Sequence, residues 1–154
     1  MQIVAHFNIA PLSDAMEKRG LNDGGKVQIF VDNECIRQME PYTPFLNGVL
    51  QISPLVFTDV GSGRIIQNTP YARYQYYGHL MVDPITHKGC FYDPKTGRKW
   101  SRPGVKKVLT GTPLKYNQTR SPKAGPHWFG RMVNDKGADI GQGAAKIAGG
   151  YFSK

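Results

Sequence analysis

Four histidines and two cysteines are the residues of this sequence that first suggest a metal site. His87 and Cys90 form one close pair, but a closed zinc site needs four ligands at short spacings. Cys35 lies far from Cys90 and neither belongs to a Cys-x-x-Cys motif, so both are interpreted as reduced thiols. The sequence predicts no metal site, no cofactor and no disulfide framework.

Motifs for catalysis and for phosphate binding are also missing. No serine lies in a Gly-x-Ser-x-Gly context, the acidic residues are scattered singly, and no Gly-x-x-x-x-Gly-Lys-Ser/Thr loop occurs. Covalent catalysis needs a nucleophile beside a base, and acid–base catalysis needs groups paired at a suitable spacing. We therefore expect a protein that is not an enzyme.

Positive charge is concentrated in one part of the chain. Residues 79–124, here called the basic segment, contain ten Lys or Arg against two acids, Asp83 and Asp93, which gives a formal charge of +8 out of a total of +9. Such a segment attracts nucleic acid or an acidic protein surface. The cations predicted to contact a DNA channel or an acidic partner are Lys88, Lys95, Arg98, Lys99, Arg102, Lys106 and Lys107.

Aromatic residues occur among these cations, and this combination suits phosphate contacts together with base stacking. Phe91, Tyr92, Trp100 and Tyr116 all lie in the basic segment. No recognition helix, zinc finger or RNA-binding motif accompanies them, so we expect attraction to a nucleic-acid backbone without sequence reading. The alternative is a solvated loop that repels other copies of the chain.

Aromatic side chains also cluster just before the basic segment. Four tyrosines fall within seven residues, which is more than one helical face buries, so at least one is expected to contact a neighbouring subunit. Packing in the core is the alternative for the others. The predicted subunit-interface residues are Tyr71, Tyr74, Tyr76, Tyr77, Trp128 and Phe129.

The elements that position these residues can be predicted from spacing. Apolar residues recur every four positions from Lys26 to Glu40, which favours an amphipathic helix, although alternation at its start also permits a strand. Shorter helices are predicted for Leu12–Lys18, with Ser13 or Asp14 as its cap and Gly20 as its stop, and for Phe45–Ser53 before Pro54.

A hairpin followed by a helix is predicted next. Leu55–Val60 and Arg64–Thr69 are rich in β-formers and flank Gly61-Ser62-Gly63, a suitable tight turn. Thr69 is then a candidate N-cap and Pro70 a first helical residue for a helix over Tyr71–Tyr77 that Gly78 ends.

Two turns of similar sequence begin at Asp83 and Asp93 inside the basic segment, each reading Asp-Pro-x-Thr. They predict a projecting meander of short strands at 81–82, 90–92 and 98–100, followed by an extended or loop stretch over 106–123. A last helix is predicted from Pro126 through Val133, and the glycines beyond Lys136 argue against regular structure in a flexible tail, 137–154.

Length and hydropathy complete this interpretation. A chain of 154 residues with 40% hydrophobic residues suits one domain, 1–154, and 18 Gly with 11 Pro predict many loops. No stretch approaches the roughly 20 apolar residues of a membrane span, and no secretion signal opens the chain. We therefore expect synthesis in the cytoplasm.

Three stretches of the sequence together resemble a known family. They are Pro41–Leu50 (PYTPFLNGVL), Asn68–Gly78 (NTPYARYQYYG) and Ala124–Met132 (AGPHWFGRM). In this order they are similar to the minor capsid proteins of tailed bacteriophages, of the head–tail connector or tail-completion class. The resemblance extends over roughly residues 26–133.

The resemblance implies an α+β fold in which a small antiparallel sheet packs with a few helices. It also implies a structural subunit of the virion neck, made in the bacterial host cytoplasm. Its copies would form a ring, preferably a hexamer and otherwise a dodecamer, between portal-side proteins and the tail terminator or tube, around the DNA channel. A small basic protein that binds nucleic acid non-specifically is the alternative function.

Overall fold

The computed structural model describes residues 12–150, and within them the chain is an α+β protein. Five helices and two antiparallel sheets of two strands each make up its regular structure. In chain order the elements are α1 (Leu12–Arg19), α2 (Lys26–Met39), a 3-10 turn (Glu40–Tyr42), α3 (Val49–Phe57), α4 (Ala72–Tyr77), β1 (His79–Val82), β2 (Phe91–Tyr92), β3 (Lys99–Trp100), β4 (Val108–Pro113) and α5 (Trp128–Ile147). The α+β class that the resemblance implied is confirmed.

The core lies mainly between α2 and α5, which form the most extensive helix pair. Apolar residues of α2 recur every three or four positions, so one face of this helix is buried and the predicted helix is confirmed over the alternative strand. At the crossing, a Cβ added at Gly143 would overlap the ring of Phe30, so the absence of a side chain permits the close approach. The core residues are Cys35, Met39, Tyr42, Leu50, Ala72, Trp128, Met132 and Ile140.

The predicted hairpin over residues 55–69 is wrong. Residues 49–57 form α3, and the rest of that stretch has no strand. Pro54 lies inside α3 and has no N–H to donate to the carbonyl of Leu50, and the side chain of Gln67 donates to that carbonyl at 3.2 Å instead. A side chain distant in sequence thus stabilises a helix that local propensity disfavours.

The loop after α3 is held by a carboxylate and not by strand pairing. Oδ2 of Asp32, a buried residue on α2, accepts hydrogen bonds from the backbone N–H groups of Gly61 (2.8 Å) and Gly63 (3.1 Å). Gln28 donates to the other carboxylate oxygen at 2.7 Å. The Gly-Ser-Gly sequence that suggested a hairpin turn therefore wraps around an acceptor on α2.

The helix α4 confirms the prediction for residues 71–77 and its stop at Gly78, which has a left-handed backbone (φ 75°). The predicted cap is wrong in detail. The hydroxyl of Thr69 is buried without a partner in the described structure, and only its carbonyl contacts the helix start, accepting from Ala72 N–H at 3.1 Å.

The strands do not form one meander. β1 pairs with β4, whereas β2 pairs with β3 in a separate sheet. The short predicted strands are confirmed, but the stretch 106–123, expected to be extended or loop, supplies the strand that closes the segment against β1. The chain therefore leaves the body at Val82 and returns beside it at Val108.

The last helix is longer than predicted. α5 begins after His127, whose backbone is left-handed (φ 49°), and continues to Ile147 through the glycines that were expected to interrupt it. Each glycine weakens a helix by about 1 kcal/mol, but packing against α2 stabilises this one. Ser13 and Asp14 lie within α1 and do not cap it, and residues 151–154 of the predicted tail lie outside the described residues.

Candidate interaction surfaces

The two Asp-Pro-x-Thr turns have the same geometry. The carboxylate of Asp83 accepts from the N–H groups of Ile85 (2.9 Å) and Thr86 (3.0 Å), and its backbone N–H donates to Lys88 at 2.9 Å. Asp93 repeats the pattern ten residues later, with Lys95 N–H at 2.9 Å and the Arg98 carbonyl at 2.9 Å. The predicted pair of turns is confirmed, and each one is closed by its own aspartate.

Asp83 is also the anchor for Arg102, which returns from 19 residues further along the chain. The guanidinium donates to both carboxylate oxygens, at 2.6 and 2.5 Å, and Asp83 is 4% exposed. The hydrogen bond from Arg102, followed by the one from the Thr86 backbone, holds the pKa of Asp83 well below its ordinary value. Arg102 therefore has a structural role within the segment, and its predicted contact with DNA or an acidic partner stays a prediction.

Lys107 has a similar structural contact, because its ammonium group donates to the carbonyl of Gly89 and ties the two sides of the segment together. Lys88, Lys95, Arg98 and Lys99 differ, since their exposed side chains have no acidic partner within 4.0 Å among residues 12–150. These four cations are available to an external anion.

The β2–β3 hairpin carries three of these four cations beside exposed aromatic rings. The rings of Phe91 and Trp100 stack across the two strands, with centroids 5.8 Å apart and planes at 22°. Tyr92 and Trp100 are exposed, and the principal packing of β2 and β3 is with each other. The hairpin therefore projects cations and aromatic faces without a core beneath them.

A second cationic surface lies where the segment meets α4, and we call it the basic groove. It has a volume of about 410 Å³ and no acidic residue in its lining. It is lined by Arg73, Tyr74, Tyr77, Met81, Lys106, Lys107 and Leu109. The structure thus brings two of the predicted DNA-contact lysines together with two of the predicted interface tyrosines. Arg73 was missed because its position on α4 gave no sign that residue 106 would fold back beside it.

Four of the predicted interface residues surround another cavity of about 530 Å³, here called the apolar groove. Tyr76, Tyr77, Trp128 and Phe129 line it, with Ile65, Ala72 and other residues. Tyr76 packs edge-on against Trp128, with ring centroids 4.9 Å apart and planes at 88°. Trp128 is 1% exposed and its indole N–H donates to Gln67 at 2.8 Å, so it is a core residue and not the subunit contact that was predicted.

Tyr71 is separate from the other predicted interface residues. It lines a different cavity of about 300 Å³ with Leu46, Gln75 and Tyr116. The hydroxyl of Tyr116 donates to the Gln75 carbonyl at 2.5 Å, and burial raises the pKa of this phenol. Tyr71 therefore lies apart from Tyr74 and Tyr77, which both line the basic groove.

An exposed apolar surface on α3 was not predicted. Val49, Ile52, Leu55 and Val56 all point away from the core on α3, and Leu55 and Val56 are 68% and 66% exposed. We call these four residues the apolar stripe. Sequence reasoning missed it because Val49 and Ile52 were assigned to a predicted helix that ended before Pro54, whereas Leu55 and Val56 were assigned to a predicted strand. In the structure all four lie on one helix, where positions 49, 52 and 56 have helical spacing.

Among the described residues 12–150, no group of three or more His, Cys, Asp or Glu is close enough to hold a metal ion. None of the helices in that part of the chain is both long and apolar enough to cross a membrane.

Comparison with known proteins identifies the family. Residues 11–112 match the family model described as "Minor capsid protein", which covers about two thirds of the chain. Searches of curated proteins and of solved structures found no match. Two of the three stretches that suggested the resemblance, 41–50 and 68–78, lie within the matched region, and 124–132 lies beyond it.

The match, together with an α+β body that presents exposed apolar and cationic surfaces, defines a structural protein of a virus particle. The chain belongs to the minor capsid protein family of bacteriophages. It is a component of the virion.

Proposed function

We propose that this chain is a subunit of the phage neck that joins the portal side of the head to the tail. Copies form a ring, a hexamer in the preferred arrangement, and the basic segment points to the genomic DNA or to an acidic neighbour. The observation that carries this proposal is that lysines and arginines without acidic partners are concentrated on two surfaces of the chain. These surfaces are the hairpin and the basic groove.

The charge distribution suits a channel. Phosphates of DNA attract cations at any sequence, so a ring that repeats this surface around an axis holds DNA without reading bases. Asp83 neutralises Arg102, and Asp93 accepts hydrogen bonds within its own turn, so both acids of the segment serve its fold. The remaining cations give the projecting hairpin its positive surface.

The test is the location of the chain in purified particles. Mass spectrometry of a neck fraction and cryo-electron microscopy of the same particles should find the chain in a ring between portal and tail tube. Density for the hairpin should then lie on the axial side or against an acidic protein. A chain absent from the neck overturns the proposal, and a hairpin directed outward into solvent overturns its DNA-facing part.

A second candidate is a basic protein that binds nucleic acid as a monomer. The exposed Tyr92 and Trp100 beside free cations favour it, because aromatic faces stack on unpaired bases. Fluorescence anisotropy with single-stranded DNA separates the two functions. A connector subunit binds weakly before assembly, whereas the alternative predicts tight monomeric binding with steep salt dependence.

A further inference from the structure

We propose that the basic groove binds one nucleotide unit of a DNA strand. The phosphate lies between Arg73 and the two lysines of the groove, and the sugar and base lie against the tyrosine rings. The inference rests on the proposed function, in which the basic segment points to DNA or to an acidic neighbour. It assigns DNA to the basic groove and names the side chains that bind it.

The two walls of the groove come from different parts of the fold. Arg73, Tyr74 and Tyr77 lie on α4, and their spacing of three and four residues places Tyr77 beside the other two on the helix surface. Met81 and Leu109 are a cross-strand pair of β1 and β4, so their side chains share one face of that sheet. The basic segment therefore faces the helical body across the groove.

Cations from both walls line the groove without a counter-ion. Arg73 on α4 and Lys106 before β4 are exposed, and neither has an acidic partner within 4.0 Å among residues 12–150. Lys107 donates to the Gly89 carbonyl, which uses one of the three donors of its ammonium group. Like charges that face each other repel, so an anion bound between them stabilises the arrangement.

The rest of the lining suits a ligand that has an apolar part besides its charge. Tyr74, Tyr77, Met81 and Leu109 surround the cations with aromatic and aliphatic surface. The groove volume of about 410 Å³ lies in the range of cavities that hold small organic molecules, about 300–1,000 Å³. A nucleotide unit combines a phosphate with a sugar and a flat base, and such a base stacks on tyrosine.

This lining favours DNA over an acidic protein segment. Arginine, lysine and tyrosine side chains donate to phosphate oxygens in protein–DNA contacts, and all three types line the groove. An aspartate or glutamate supplies a carboxylate for the cations but no flat ring to stack on Tyr74 or Tyr77. The chain belongs to a family of bacteriophage virion proteins, and a virion encloses nucleic acid.

The test titrates the purified full chain with the dinucleotide thymidylyl-thymidine, which carries a single phosphodiester. Nuclear magnetic resonance follows the backbone amides, and those of residues 73–77 and 106–109 should shift together. Arg73→Gln or Lys106→Gln should weaken binding about fivefold or more, because each removes a charged donor to the phosphate. Lys146→Gln removes an equal charge from α5, outside the groove, and should leave the affinity unchanged.

Tyr74 tests the contact with the base. Tyr74→Leu should weaken binding about fivefold or more, since it removes a stacking surface, whereas Tyr74→Phe keeps the ring and should bind more tightly than the leucine variant. Circular dichroism checks that each variant is folded. Equal affinities of the phenylalanine and leucine variants would show that the ring does not contact the base, which overturns this part of the inference.

Two other anions test the identity of the ligand. Inorganic phosphate has the charge without the sugar and base, and a blocked Gly-Asp-Gly peptide has one carboxylate as an acidic neighbour does. Both should bind at least about fivefold more weakly than the dinucleotide. An equal response to phosphate would mean that the groove binds any anion, and an equal response to the peptide would favour an acidic neighbour. Either result overturns the inference, as does a dinucleotide that shifts only amides outside the groove.

The location of the chain in the particle is a separate measurement. If the groove does not bind the dinucleotide but the chain is found in the virion neck, the proposed function stands without its nucleotide site. If the groove binds the dinucleotide but the chain is absent from the neck, the function alone is overturned.

Discussion

Arg102 closes the basic segment by donating two hydrogen bonds to the carboxylate of Asp83, at 2.6 and 2.5 Å, across 19 residues of chain. The same carboxylate organises its own turn through two backbone N–H groups. Since both sets of contacts converge on one buried side chain, the pair controls the shape of the segment and not only its charge.

Replacing Arg102 by glutamine should therefore loosen the segment while the helical body stays folded. The amides of Ile85 and Thr86 should exchange with solvent faster, on the order of tenfold, because their acceptor loses its anchor. Hydrogen exchange followed by nuclear magnetic resonance measures this directly. Arg98→Gln removes an equal charge from an unpaired site and should leave both amides unchanged; equal effects of the two variants would contradict the anchor role.

Acid should release the same contact. The pKa of Asp83 in the folded chain lies below its ordinary value of 3.8, so its contribution is fully present above that value and is lost as the pH falls below it. The segment should therefore lose stability progressively only as the pH falls below about 3.8, seen as loss of the Ile85 and Thr86 amide shifts. Asp83→Asn should lack this transition at every pH, and a wild-type segment that is unchanged in acid would refute the linkage.

The crossing of α2 and α5 predicts opposite effects for two glycines of one helix. Gly143→Ala places a methyl group against the ring of Phe30, which must shift to make room, so it should lower the free energy of unfolding by about 1–2 kcal/mol despite the better helix propensity of alanine. Gly130 has no neighbouring atom within 4 Å of an added Cβ, so Gly130→Ala should raise stability by up to about 1 kcal/mol. Urea denaturation of both variants checks the sign of each change.

Asp32 gives a third stability prediction. Asp32→Ala leaves the buried N–H of Gly61 and its neighbour at Gly63 without an acceptor, which should cost about 2–4 kcal/mol. Asp59→Ala is the control, because the exposed side chain of Asp59 accepts none of the described bonds. Thermal unfolding distinguishes them, and similar midpoints would show that the loop does not depend on the carboxylate.

The free cations of the hairpin should determine the salt dependence of DNA binding. Replacing Lys95, Arg98 and Lys99 together by serine should reduce the slope of log K against log salt by roughly 2 to 3, if each contacts one phosphate. Lys18→Ser, Arg19→Ser and Lys146→Ser remove the same charge from α1 and α5. This control should leave the slope nearly unchanged in anisotropy titrations, and equal slopes for the two triple variants would show that net charge alone attracts DNA.

Elements whose cause is local were predictable from sequence. The recurrence of Val27, Val31, Cys35 and Met39 predicted α2, Gly78 predicted the end of α4, and the repeated Asp-Pro-x-Thr predicted both turns. In each case the residues that decide the conformation lie within one or two turns of chain.

Elements with a distant cause were not predictable. α3 depends on Gln67 to satisfy the carbonyl that Pro54 leaves free, and α5 continues through glycine because Phe30 packs there. The pairing of Arg102 with Asp83 depends on how the segment folds back. The basic segment was recognised from its composition. Only the structure shows which of its lysines and arginines are bonded within the chain and which have no acidic partner.

The pairing of Val82 with Val108 has a consequence for how this family can vary in length. The chain between these residues departs from and rejoins the body at one point, and within it each aspartate closes its own turn. A ten-residue unit of strand and turn can therefore be gained or lost without shifting a core residue. Such a change would set how far the segment extends from the body, so that one body could serve virus particles of different dimensions.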